Sequence, residues 1–175
     1  MIKNMPPVIL DLFDSNLHFL PVAGKVILNY GSSTPSFWRK DQPFIYSDLI
    51  YPLEQRGAFV LHYDPKGAPG ILNSTIELPW DWFNFIMLNS VLEHVTSVED
   101  VLDDIYNLLH PDNGYLIASC PSEWPYHPDP IDNMLRIRRK EGWEWILGDR
   151  FRVLDFQEVI DLRGKETIVL AEKKT

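Results

Sequence analysis

Along this chain short apolar runs, rich in β-branched and aromatic residues, alternate with longer helical or loop segments. That rhythm predicts an α/β fold. Lys25 to Tyr30 (KVILNY) is a compact strand ending at Gly31, and Phe44 to Asp48 (FIYSD) reads as a second. Ala58 to Tyr63 (AFVLHY) and Ile71 to Ser74 are candidates for a third. Phe83 to Asn89 (FNFIMLN) is mostly apolar and fits a central strand buried on both faces.

The clearest helix follows. Thr96 and Glu99 form a T-x-x-E capping box. Val98, Val101, Leu102, Ile105, Leu108 and Leu109 then recur at helical spacing as one apolar stripe. His110 to Gly114 (HPDNG) stops the helix, because proline cannot continue the ladder and Asn-Gly favours a turn. Tyr115 to Ser119 is the next strand, and a strand–helix–strand unit of this length crosses over right-handed, which makes its strands parallel. After Cys120 the texture changes to Pro, His, Asp and Trp, a long surface loop, followed by a helix from Met134 to Leu147. Phe151 to Asp161 and Glu166 to Glu172 read as two strands joined by a turn at Arg163-Gly164-Lys165. The implied architecture is a mostly parallel sheet finished by an antiparallel strand pair.

Composition narrows the classes. A chain of 175 residues without repeats or low-complexity linkers suits one domain, and 45% hydrophobic residues can build its core. The formal charge of -9 argues against a nucleic-acid backbone as the main partner. Arg136, Arg138, Arg139 and Lys140 make the only dense basic run, which a solvated helix face or a contact with an anionic substrate would explain. The single cysteine, Cys120, excludes an internal disulfide framework and a cysteine-rich zinc site, and reads as a small buried hydrophobe. No stretch reaches transmembrane length and no basic segment leads into an apolar run at the start, so the expected setting is soluble and cytoplasmic, with no membrane partner.

Several motifs stand in a telling order. Ile27-Leu28-Asn29-Tyr30-Gly31-Ser32-Ser33-Thr34-Pro35 is a strand running into a small-residue loop. Leu78-Pro79-Trp80 precedes Phe83-Asn84-Phe85-Ile86, and Asn89 to Pro121 (NSVLEHVTSVEDVLDDIYNLLHPDNGYLIASCP) carries an E-H-V element, a helix, an L-x-P turn and a strand. This series, over roughly Gly24 to Arg136, resembles the class I S-adenosylmethionine-dependent methyltransferases. The resemblance implies a Rossmann-like sandwich divided into an N-terminal segment (1–23), a cofactor-binding core (24–121), an acceptor-side loop and helix (122–147) and a terminal strand pair (148–175). The departure is the loop: of the family's V-L-D-x-G-x-G-x-G only Gly31 survives, Ser33 adds a Cβ and Pro35 removes a donor. A strand-to-helix turn that binds nothing is therefore the competing reading.

The same resemblance implies a site. S-adenosylmethionine would meet Tyr30, Gly31, Ser32 and Ser33 in the loop, and Asn89 and Ser90 at the end of the fourth strand. A carboxylate closing the second strand would receive both ribose hydroxyls. Asp48, followed by Leu49, lies seventeen residues after Gly31, an ordinary spacing for nucleotide-binding units, whereas Asp64 is a rival at longer range. Asn73 and Ser74 stand where the family often has an adenine-side Asp. On the acceptor side are His94, Trp124, Asp132 and Arg136, with His127 as a candidate base oriented by Asp129 or Asp132. A proline-stiffened loop with an Asp132–Arg136 ion pair accounts for the same residues without catalysis. Two functions follow: methyl transfer to a small or partner-presented acceptor with no metal, or a non-catalytic module of the same fold that has lost tight cofactor binding.

Overall fold

The computed structural model describes residues 5–14, 20–31, 50–65, 78–123, 137–161 and 164–175. Six strands, β1 (Val26–Tyr30), β2 (Phe59–Tyr63), β3 (Phe85–Asn89), β4 (Tyr115–Glu123), β5 (Phe151–Asp161) and β6 (Gly164–Lys173), form one sheet. Their order is β2-β1-β3-β4-β6-β5. The first four pair in parallel, and β6 pairs antiparallel with both β4 and β5. The mostly parallel sheet with an antiparallel end is as the sequence implies.

Alternation along each strand builds two cores. Leu28, Ile86, Leu88, Leu116 and Ala118 face one side, with Leu102, Ile105 and Leu108 of helix α3 (Val98–Leu108) and Trp143 and Leu147 of helix α4 (Lys140–Leu147). Ile27, Phe85, Met87 and Ile117 face the other, with Ile9, Leu12 and Phe13 of helix α1 (Met5–Asp14) and Leu53 of helix α2 (Tyr51–Gln55). Burying each leucine, isoleucine, methionine or phenylalanine among these stabilises by roughly 1.5–3 kcal/mol. Helix α1, which the sequence reading did not anticipate, seals that second face, with the Phe13 ring edge-on to Phe85 at 5.1 Å.

Four local differences from expectation have physical causes. The strand beside β1 is β2, expected only as a third strand; the expected strand at 44–48 lies outside the described residues, as does Ile71 to Ser74. Helix α3 is capped by Ser97, whose Oγ accepts from Asp100 N at 3.2 Å, and not by Thr96, because Ser97 is the last extended residue (φ −137°, ψ 111°). Helix α4 begins only at Lys140, since Thr167 Oγ1 donates to the Ile137 carbonyl at 2.6 Å and ties the chain to β6 first. Arg138 and Arg139 thus precede the helix instead of lining its face. Strand β4 outlasts Ser119 by pairing with β6 alone, and Pro121 sits where β3 has ended and its missing donor is tolerated.

Candidate functional site

The sheet has a switch point. From β1 the chain adds β2 on one side and then crosses to add β3 on the other. In such sheets the crevice outside the carboxyl ends of the diverging strands receives the ligand. Here those ends are Tyr30-Gly31 after β1, Asp64 after β2 and Asn89-Ser90 after β3.

Gly31 has φ 73°, and its N–H donates to the Tyr63 carbonyl at 2.8 Å. A Cβ there would overlap the Val91 side chain. Position 31 therefore needs glycine twice, for its conformation and for the approach of the chain after β3. Ser90 has φ 51°, a conformation that costs a non-glycine residue roughly 1–2 kcal/mol. Its N–H donates to the Ser119 carbonyl at 3.2 Å and to Ser119 Oγ at 3.1 Å, and its hydroxyl donates to Glu166 Oε1 at 2.6 Å. Glu166 is buried, at 1% exposure. Beside Ser90, Asn89 Oδ1 is a buried acceptor with no hydrogen-bond partner among the described residues.

Aromatic, amide and imidazole groups stand beside the buried carboxylates. The Tyr30 and Tyr63 rings lie 4.6 Å apart, both buried. Burial raises both hydroxyl pKa values above the usual tyrosine range, with Asp104 adding to the effect, so neither is a phenolate base near neutrality. Asn29, where the family pattern has Asp, meets His62 Nδ1 through its amide at 3.3 Å. Burial lowers the His62 pKa, partly offset by Glu54. His94 ends a short 3-10 turn, Leu92–His94, with Nε2 3.9 Å from the buried Glu93 carboxylate.

The structure thus places Tyr30 and Gly31 at the carboxyl end of β1 and Asn89 and Ser90 at that of the neighbouring β3, with His94 on the turn following Ser90. Ser32, Ser33, Asp48, Leu49, Asn73, Ser74, Trp124, His127, Asp129, Asp132 and Arg136 lie outside the described residues. Glu166, on β6, was missed, and no local motif marks it. Asp64, 8% exposed, was set aside on spacing alone. A strand-order argument would have ranked it above Asp48, since AFVLHY is the better β-former and Asp64 follows it directly. Of the tryptophans, Trp143 is core, donating to Thr167 Oγ1 at 3.1 Å, whereas Trp80, Trp82 and Trp145 are exposed. Cys120 is fully buried, as expected. Among the described residues no cluster of three or more metal-ligating side chains occurs, and no helix is long and apolar enough to cross a membrane.

No family model matches the chain, and no curated protein matches it. Solved structures do. A candidate type 11 methyltransferase from Sulfolobus solfataricus aligns with TM-score 0.62 at 13% identity, covering 100% of this chain and 95% of its own. An S-adenosylmethionine-dependent methyltransferase from Mesorhizobium loti aligns with TM-score 0.57 at 16% identity, over 87% and 93%. Magnesium protoporphyrin IX methyltransferase from Synechocystis, with bound SAH, aligns with TM-score 0.57 at 17% identity, over 96% and 80%. The chain has the Rossmann-like fold of class I methyltransferases.

Proposed function

We propose that this protein binds S-adenosylmethionine in the crevice between β1 and β3 and transfers its methyl group to a small acceptor. The observation that carries the reading is Asn89 Oδ1, a buried acceptor without a donor among the described residues at the switch point of the sheet. A buried polar atom of that kind is costly unless something supplies its partner, and a bound ligand is one such supplier. The ammonium of the cofactor's amino-acid end is such a donor. Asp64 closes the strand beside β1 and is the carboxylate we assign to the ribose hydroxyls, in place of Asp48. Gly31 lets the backbone come close to the ligand.

When bound, the cofactor supplies a methyl group already activated on sulfonium. The chain's part is alignment, exclusion of water and removal of one proton from the acceptor. For that proton we retain His127, with Asp129 as its orienting acid, and we keep His94, Trp124, Asp132 and Arg136 on the acceptor side. The methyltransferase neighbours support transfer over a purely structural module, and the lost glycines of the loop make the module the reading to beat.

Titration with S-adenosylhomocysteine separates the two. Binding is expected, and Asp64→Ala should weaken it by about 1.5–3 kcal/mol, the range for hydrogen bonds to a charged group. Asp48→Ala is expected to leave it unchanged. No binding to the parent protein would favour the module. A loss carried by Asp48→Ala and not by Asp64→Ala would return the ribose contact to Asp48.

A further inference from the structure

The carboxyl rim of β3 is held from a distant strand. Ser90 stands in a left-handed conformation (φ 51°), and its hydroxyl donates at 2.6 Å to Glu166, a buried carboxylate that β6 brings to the same rim. Ser90 N–H is anchored separately to the Ser119 carbonyl and hydroxyl of β4. The residue before Ser90 is Asn89, whose Oδ1 is buried and unpartnered among the described residues; the residue after it is Val91, which fills the space that makes Gly31 a glycine. Asn89 and Val91 flank Ser90, so the direction the chain takes there bears on where both lie.

From this geometry we infer that Glu166 is a positioning residue: through Ser90 it fixes the turn after β3 in the conformation that presents Asn89 Oδ1 to the ligand. The inference rests on the cofactor reading above. A hydrogen bond between a hydroxyl and a carboxylate is short and strong, and here its carboxylate side is buried. It offsets a backbone conformation that serine otherwise avoids. Without it the turn populates extended conformations, and the fraction competent to bind falls, which lowers apparent affinity in proportion.

Serine and glycine at position 90 then give opposite outcomes. Ser90→Ala loses the hydroxyl and keeps the Cβ penalty, so S-adenosylhomocysteine affinity should fall about tenfold by calorimetry. Glu166→Ala should fall at least as far, and adding Ser90→Ala to it should cost little more, because the bond between them is already gone. Ser90→Gly also loses the bond but adopts positive φ freely, so it should bind within about threefold of the parent and should rescue Glu166→Ala. Glu166→Gln keeps an acceptor and should bind within about threefold as well. Ser90→Ala binding like the parent, or Ser90→Gly no better than Ser90→Ala, overturns the inference. If Glu166→Ala does not fold, the Ser90 pair carries the test alone. If the parent binds no S-adenosylhomocysteine, the cofactor reading fails by itself. Amide exchange over Asn89 to Val95 then decides the clamp: faster in Ser90→Ala than in Ser90→Gly sustains it, and equal rates overturn it.

Discussion

The two ends of β3 are built alike and finished differently. Among the described residues two non-glycines have positive φ, Asp81 before β3 and Ser90 after it. Each is held by a residue of β6: Lys173 Nζ donates to Asp81 Oδ1 at 3.0 Å, and Ser90 donates to Glu166 at 2.6 Å. At the amino rim the polar groups close on each other. Lys173 also donates to the Leu109 carbonyl at 2.7 Å and lies 4.5 Å from the centre of the Tyr106 ring, while Asn84 accepts from Val26 N and donates to Asn113. At the carboxyl rim Asn89 Oδ1 is left over. Satisfied groups at one rim and an unsatisfied one at the other separate what holds the sheet from what it holds out to a ligand.

The sharpest break of that contrast is at Gly31. Gly31→Ala combines a positive φ with overlap against Val91, so a loss of about 3 kcal/mol in urea unfolding is expected, with S-adenosylhomocysteine binding abolished. Gly31→Ala with Val91→Ala should recover part of the stability, since only the overlap is relieved. An alanine variant as stable as the parent would mean that the rim is not packed as described.

Lys173→Met makes the reciprocal test at the amino rim. It removes the buried donor to Leu109 and the hold on Asp81, and should cost about 2 kcal/mol of stability. Ligand affinity should stay within about twofold of the parent. Equal damage to affinity would show that the two rims are mechanically one.

The architecture was readable because strand alternation, the α3 stripe and the Phe151–Asp161 strand are local patterns, whereas the hold of Lys173 on Asp81 at the amino rim joins residues far apart in the chain and was not. The carboxyl rim was readable only in part. Gly31, Asn89 and Ser90 lie next to strand ends that periodicity marks. Asp64 was obscured because the spacing argument assumes a short crossover, whereas here α2 intervenes and the pairing strand begins only at Phe59. Glu166 was illegible for a different reason: its role depends on β6 running antiparallel into the site, and nothing near it in the chain announces a partner at Ser90.

The smallest expected effect lies just inside the carboxyl rim, where His62 of β2 pairs in register with Asn29 of β1. Burial holds the His62 imidazole below its usual pKa, and Glu54 opposes this only in part. The folded state therefore binds its proton less readily than the unfolded chain does, where the value is about 6.5. Stability contributed by neutral His62 is complete above that value and falls as the pH drops through it, until the folded state also takes up the proton. One such group can contribute a slope of at most about 1.4 kcal/mol per pH unit. Urea unfolding at a series of pH values between 7.5 and 5 should show a steeper decline for the parent than for His62→Gln, which cannot titrate. Amide exchange should place the acid-induced opening at β1 and β2, with Asn84 and Lys173 still protecting the amino rim. Identical slopes for parent and variant would remove His62 as a source of acid sensitivity, and opening that begins at the amino rim would invert the contrast between the two ends.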